Sequence, residues 1–163
     1  MDNLFTTSFN TPLGYLQVTG TAEFITSVWF VEEPKPDSTA GLPEVITNCV
    51  KELQEYFEGN RQVFSVPIGT EGTEFQRRVW HELELIPFGE TCSYLDIARK
   101  LNDENSTRAV GTANGKNPIA IILPCHRVIG ENGKLTGYAG GMWRKSWLLE
   151  HEGKVSGKRL SLF

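Results

Sequence analysis

Cys125, His126 and Arg127 stand side by side at the end of the stretch NPIAIILPCHRV, residues 117–128. A free thiol is only a few per cent thiolate at pH 7, and a neighbouring base or positive charge is the usual means of raising that fraction. An imidazole and a guanidinium as the next two residues therefore mark Cys125 as a candidate nucleophile. The alternative is a small buried hydrophobe followed by two surface polar groups. Residues 119–123 are an unbroken apolar run, which reads as a segment buried on both sides. Pro124 ends that run by removing a donor and fixing φ. Adjacent residues of an extended chain point to opposite faces, so Cys125 and His126 can cooperate only if the backbone turns there.

The elements that would position this group fall into two lobes and a tail, 1–72, 73–153 and 154–163. Residues 4–9, 14–19 and 24–31 alternate apolar with polar or run β-branched and aromatic, which predicts three short antiparallel strands. Residues 32–41 are rich in Pro, Ser and charge and read as a loop. Pro43 to Glu58 places Ile46, Cys49, Val50, Leu53, Tyr56 and Phe57 on one helical stripe, with Gly59 past its end, so Cys49 belongs to a core. Residues 62–68 offer a further strand. In the second lobe a helix runs from Thr73 to Leu85, with Thr73 as its cap. Ser93 followed by Asp96 caps a short helix, 94–101, and Ser106 is placed to cap another over 107–114 ending at Gly115. Two short helices across a tight turn make a helix-turn-helix candidate. Its second helix carries unusually small residues, Ala109, Gly111, Thr112 and Ala113. Gly111 costs about 1 kcal/mol relative to Ala inside a helix, so something approaches closely there, either the protein's own packing or a nucleic acid backbone. A turn at 131–134, a glycine-bearing loop at 137–141 and a helix over 143–152 stopped by Gly153 complete the lobe.

Composition bounds what the cysteine can be doing. Three cysteines, Cys49, Cys92 and Cys125, far apart and without a CxxC, suggest neither a disulfide framework nor a cysteine-rich metal site, and fit a reducing cytoplasm. No signal-like start and no apolar run of membrane-spanning length is present, so neither secretion nor membrane insertion is expected. The total charge of −4 hides an asymmetry: residues 1–102 carry 7 Lys and Arg against 15 Asp and Glu, a net −8, and residues 103–163 carry 9 against 5, a net +4. The basic part holds the cysteine, and a polyanion would be confined to that face.

Five blocks in order, FQRRVW at 75–80, IPFGETCSY at 86–94, TRAVGTANGKNP at 107–118, LPCHRV at 123–128, and GYAGG through KSWLLEHEG at 137–153, resemble the O6-alkylguanine-DNA alkyltransferases. The match is close over 75–153 and covers the first lobe in outline. The resemblance implies α/β plus mostly α architecture, with a ribonuclease-H-like N-terminal lobe and a winged-helix-like helix-turn-helix C-terminal lobe. It implies a monomer that takes an alkyl group from O6-alkylguanine in double-stranded DNA onto its own cysteine, once and irreversibly, with no cofactor and no metal.

By the same resemblance Cys125 is the acceptor, His126 its base through a bridging water, Glu152 the carboxylate orienting the imidazole, and Asn117 the brace of the turn. Tyr94 donates to guanine N3, Tyr138 lines the pocket, the carbonyls of Cys125 and Val128 accept from the exocyclic amine, and Lys145 with Ala139 and Gly140 holds the O6 side. Lowering a thiol pKa by 2 units corresponds to about 2.7 kcal/mol, within reach of a His–carboxylate pair. A stacked guanine O6 is out of reach of a buried thiol, so the nucleotide is flipped out. Arg108 then fills the gap, while Thr107, Ala109, Gly111, Thr112, Ala113 and Gly115 lie in the narrow minor groove. Ala139 stands where some relatives have a serine, and the first lobe lacks a His/Cys set for the structural zinc of others. Two other classes use parts of the same set: a cysteine hydrolase, which would turn over, and a non-catalytic lesion-binding protein, which would lack the nucleophile.

Overall fold

The computed structural model describes residues 3–34 and 41–158, so most of the expected 32–41 loop and the last five residues of the tail lie outside the described residues. The chain forms two compact units, Met1–Glu71 with Pro118–Ala120, and Gly72–Asn117 with Ile121–Phe163.

In the first unit β1 (Phe5–Thr11), β2 (Gly14–Gly20) and β3 (Ile25–Val31) form an antiparallel sheet in the order β1-β2-β3. The period-two pattern does the work: Leu16 and Val18 on β2 face Val28 and Phe30 on β3, all inward, with the Gln17–Trp29 pair between them on the other face. Helix α1 (Glu44–Phe57) covers the sheet with Ile46, Cys49, Leu53 and Tyr56, and Gly59 follows it at φ +83°, a conformation glycine adopts without steric cost. Residues 62–68 do not make a strand. The buried carboxylate of Glu52 on α1 takes the Ser65 hydroxyl and the backbone N–H groups of Ser65 (2.9 Å) and Val66 (3.3 Å), and Pro67 has none to give. Only a single bridge remains there, Ile25 to Ile68. Residues 118–120 pair with β3 through Val28 N–H to Pro118 O (3.0 Å) and Ala120 N–H to Val28 O (2.9 Å).

The second unit begins with α2 (Glu74–Glu84), whose N-cap Thr73 forms a reciprocal box with Gln76; Val79, Trp80 and Leu83 are its buried face. Strand β4 (Cys92–Ser93) leads into α3 (Tyr94–Lys100), capped the same way by Ser93 and Asp96. A 3-10 turn over Glu104–Ser106 connects to α4 (Thr107–Gly115), and the Trp80 indole donates to the Ala113 carbonyl at 2.9 Å, tying α4 to α2. Ser106 does not cap α4 with its side chain; its hydroxyl donates back to Asp103 O, and Asp103 caps the 3-10 turn. The apolar run before Pro124 is buried at every residue but Ile122, which is partly exposed, and it turns, with Ile121 at φ +72°, instead of running extended. After β5 (Val128–Ile129), parallel to β4, helix α5 (Met142–Ser156) closes the unit. Gly153 does not stop it: the helix runs on to Gly157, which takes the left-handed conformation at φ +74°. The expected tail therefore begins as helix. No helix among the described residues is long and apolar enough to cross a membrane.

Candidate active site

Residues Cys125–Arg127 form a 3-10 turn, so the chain does turn where cooperation between Cys125 and His126 requires it. Asn117 Nδ2 donates to Leu123 O at 2.7 Å, and the N–H groups of Cys125 and Arg127 bond back to Leu123 O (2.8 Å) and Pro124 O (2.9 Å). Asn114, from the last turn of α4, donates to the Cys125 carbonyl at 3.4 Å. Cys125 is buried, and burial pushes its thiol up to about 11, against the lowering pull of Asn117, the Lys145 charge and the Tyr138 hydroxyl. This corrects the expectation of a depressed thiol. The resting group is a neutral S–H, and its proton must leave during the reaction.

The surface-polar alternative for His126 and Arg127 fails, because both are buried. His126 Nε2 lies 2.6 Å from Glu152 Oε2 on α5. Burial lowers the imidazole pKa more than Glu152 raises it, so the ring is neutral at pH 7. A neutral ring that donates from Nε2 presents Nδ1 as its acceptor, and Nδ1 is buried with no hydrogen-bond partner among the described residues. The ring is thus set to receive a proton at Nδ1.

Glu152 does more than orient His126. It accepts from Arg127 Nε (2.8 Å) and Nη2 (3.1 Å) and from Gly89 N–H (3.2 Å). Burial alone would raise its pKa, but His126 and Arg127 hold the carboxyl far below the usual range. Arg127 also donates to Ile86 O at 2.6 Å and lies over the Phe88 ring. Gly89, at φ +79°, leaves no room for a Cβ against Ser156. Arg127 is a residue whose role the sequence reading missed. Its partner is 25 residues away, and the only signal was its place next to the cysteine.

Around this centre stand Tyr94, Tyr138 and Lys145. The parallel pairing of Cys92 with Val128 and Ser93 with Ile129 sets Tyr94, the next residue, beside the chain that follows the Cys125 turn. Tyr94 Oη accepts from Thr136 Oγ1 at 2.9 Å. Tyr138 is mostly buried, with a hydroxyl that interacts with the Cys125 thiol and a pKa held well above the ordinary value by burial and that neighbour. Lys145 is fully buried, and burial lowers it to about 8. Its Nζ is turned into backbone, toward Val128 O (2.6 Å), Thr136 O (2.8 Å) and Gly137 O (3.5 Å). The Val128 carbonyl therefore already has a donor, and so does that of Cys125. Ala139 is exposed, and the Gly140 carbonyl accepts from Arg144 Nη1 at 2.9 Å.

Helix α4 presents Arg108, Ala109, Thr112 and Gly115 outward and buries Val110, Ala113 and Asn114. Ala113 thus belongs to the internal face, not to an exposed one. Thr107 is half-buried, with its hydroxyl donating to Glu104 O. A Cβ on Gly111 would meet only the Tyr94 ring, at 3.8 Å, which is ordinary contact. Internal packing does not explain why the residue is glycine. No group of three or more His, Cys, Asp or Glu among the described residues could hold a metal.

Residues 74–154 match the family model described as 6-O-methylguanine DNA methyltransferase, DNA binding domain, and residues 4–70 the one described as its ribonuclease-like domain. A protein of Mycolicibacterium paratuberculosis named methylated-DNA–protein-cysteine methyltransferase is 44% identical, covering 94% of this chain and 95% of its own length. One of Methanosarcina acetivorans with the same name is 46% identical over 89% of this chain and 96% of its own. A crystal structure of the Mycobacterium tuberculosis OGT in complex with DNA superposes with a TM-score of 0.83 at 44% identity, covering 91% and 92% of the two chains.

Proposed function

The chain belongs to the 6-O-methylguanine DNA methyltransferase family, and we propose that Cys125 is the residue it alkylates. The protein repairs DNA by direct transfer of an alkyl group to one of its own cysteines. We assign the substrate as O6-alkylguanine in double-stranded DNA and the acting unit as a monomer in the reducing cytoplasm. The first lobe is ribonuclease-H-like, and α3 and α4 form a winged-helix-like helix-turn-helix. The observation that carries the assignment is a neutral thiol one residue from a neutral imidazole whose Nε2 is bound to a buried carboxylate.

The step balances without a cofactor. The Cys125 sulfur forms a bond to the alkyl carbon as the bond from that carbon to guanine O6 breaks. The thiol proton passes to His126 Nδ1, through a bridging water in the reading the family suggests, and Glu152 stabilises the imidazolium. The electron pair of the broken bond leaves with the base, and Tyr94 donates to N3 where that charge builds. The guanine finally takes up the proton, so a neutral base departs and a thioether remains. No hydrolysis of that thioether follows, which separates this chemistry from a cysteine hydrolase. Tyr138 walls the pocket with the 138–141 loop. Lys145 shapes it through the backbone it grips.

DNA lies on the exposed face of α4, where the absence of a side chain at Gly111 and Gly115 lets a backbone come close, and Arg108 fills the space of the flipped nucleotide. Incubation with an O6-methylguanine duplex should add one methyl group per chain, with peptide mapping placing it on Cys125 and leaving Cys49 and Cys92 unmodified. More than one demethylated guanine per chain, or a methyl group on another cysteine, overturns the assignment. Arg108→Ala should slow repair of duplex by about ten- to a hundredfold at saturating protein and leave reaction with free O6-benzylguanine unchanged, since only the duplex needs flipping. Equal slowing of both would mean that Arg108 supports the fold.

A further inference from the structure

The hydroxyl of Tyr94 meets that of Thr136, which comes from the turn after β5. Thr136 is held at both ends. Its carbonyl accepts from the buried Lys145 Nζ at 2.8 Å, and its Cγ2 sits where Gly130 lacks a side chain, 3.3 Å from the place a Cβ there would occupy. The turn just before it is closed by Gly130 N–H to Lys134 O at 2.9 Å. Tyr94 has its backbone fixed by the capped start of α3 and by the β4–β5 register.

A phenol has one proton to donate and lone pairs to accept. Because Thr136 Oγ1 donates to Tyr94 Oη, the Tyr94 proton is left for another acceptor, and a phenol oxygen that already accepts becomes a stronger donor. We propose that Thr136 is a positioning residue for departure of the base: by occupying the acceptor side of Tyr94 Oη it directs and strengthens the bond from Tyr94 to guanine N3. The inference rests on Tyr94 being the donor to N3, and it adds that this donor is set by Thr136. Lys145 then serves the same step indirectly, by holding the Thr136 carbonyl.

The test is the single-turnover rate at saturating protein, read by intact-protein mass, on duplexes carrying O6-methylguanine or its 3-deaza analogue, which lacks the N3 acceptor. Thr136→Val keeps the shape and removes the hydroxyl. It should slow the natural lesion by about tenfold while changing duplex affinity less than about twofold, and Thr136→Ser should restore most of the rate. It should have no effect on the 3-deaza lesion and add nothing in a Tyr94→Phe background. A Thr136→Val protein at wild-type rate beside a slow Tyr94→Phe protein overturns the inference and leaves the role of Tyr94 standing. Slowing that persists on the 3-deaza lesion or on top of Tyr94→Phe, or that Thr136→Ser does not relieve, overturns it too, since Thr136 would then act through the loop. A Tyr94→Phe protein at wild-type rate on the natural lesion removes the donor itself, and the inference with it.

Discussion

Each unit of this protein buries a cysteine and a glutamate, and only one of the two pairs is built for chemistry. In the first unit Cys49 and Glu52 share α1, and Glu52 spends its oxygens on Ser65, the Val66 N–H and, at 3.8 Å, Arg61. Burial pushes the Cys49 thiol up to about 12, and the Glu52 charge pushes in the same direction. In the second unit Cys125 and Glu152 come from separate elements, and His126, on the turn with Cys125, reaches Glu152 on the helix. The Cys125 thiol is also raised by burial, to about 11, but Asn117, Lys145 and Tyr138 oppose the rise. A carboxylate next to a thiol only makes the proton harder to remove. A carboxylate behind an imidazole gives that proton somewhere to go.

Removing each carboxylate should expose the difference most strongly. Glu152→Gln leaves Arg127 and its neighbourhood short of a buried anion, and the loss should be about 3–5 kcal/mol, measured by urea denaturation. Glu52→Gln removes hydrogen bonds to Ser65 and Val66 and a loose ion pair, for about 1–3 kcal/mol. Read from the sequence alone, Glu152 served only His126, and a Gln there would slow transfer with lesion affinity unchanged. With Arg127 on the same carboxylate, the variant should lose stability as well as rate. Similar stability losses at the two sites would mean that Arg127 finds another partner.

Acid should act on the second site in the same sense. Glu152 titrates far below its ordinary 4.5 and His126 below its ordinary 6.5, so the unfolded chain binds more protons than the native one as pH falls through this range. The stability both groups contribute is fully present above about pH 6.5. It fades as pH drops, first through the His126 window and then below 4.5. Glu152→Gln should flatten the part of the stability curve below 4.5. An unchanged curve would place the acid-sensitive groups elsewhere.

What the sequence disclosed of all this was its local part. The period-two strands, the stripe on α1 and the caps at Thr73 and Ser93 need partners within four residues or the next strand, and they appear as expected. What stayed hidden was set by distant groups. Glu52 is 13 residues from Ser65 and takes the donors a strand at 62–68 would have used. Glu152 is 25 residues from Arg127, and nothing in the spacing announces the pair. Thr136 reaches Tyr94 across 42 residues. Lys145 reads in sequence as a group on the O6 side, and what the sequence does not announce is that its Nζ is held by three backbone carbonyls. Gly153 looks like a helix stop and lies inside α5. Small residues on α4 left two readings open; Ala113 is small for internal packing, and at Gly111 the ordinary 3.8 Å contact with Tyr94 gives no internal reason for a glycine.

The finest test of the contrast is the reactivity of the resting thiols toward iodoacetamide, a reagent that uses neither the pocket nor the base. A thiol at about 11 holds roughly a hundredfold less thiolate at pH 7.5 than one at the ordinary 9.0, so Cys125 should carboxamidomethylate far more slowly in the native protein than in the urea-unfolded chain. Restricted access would slow it as well, but access scales the rate by the same factor at every pH. Ionisation does not. The unfolded thiols should level off near pH 9, whereas the native Cys125 rate should still rise about tenfold per pH unit there. Cys49, at about 12 and beside Glu52, should be slower still. His126→Gln then separates resting acidity from transfer. It should leave the iodoacetamide profile of Cys125 nearly unchanged, since burial sets that pKa, while methyl transfer from the duplex slows by about a hundredfold for want of a proton acceptor at Nδ1. A Cys125 that reacts at neutral pH as fast as an unfolded thiol, and slows when His126 is replaced, would mean that the proton has already moved to the imidazole at rest, and the contrast between the two sites would lie in the ground state instead of in the reaction.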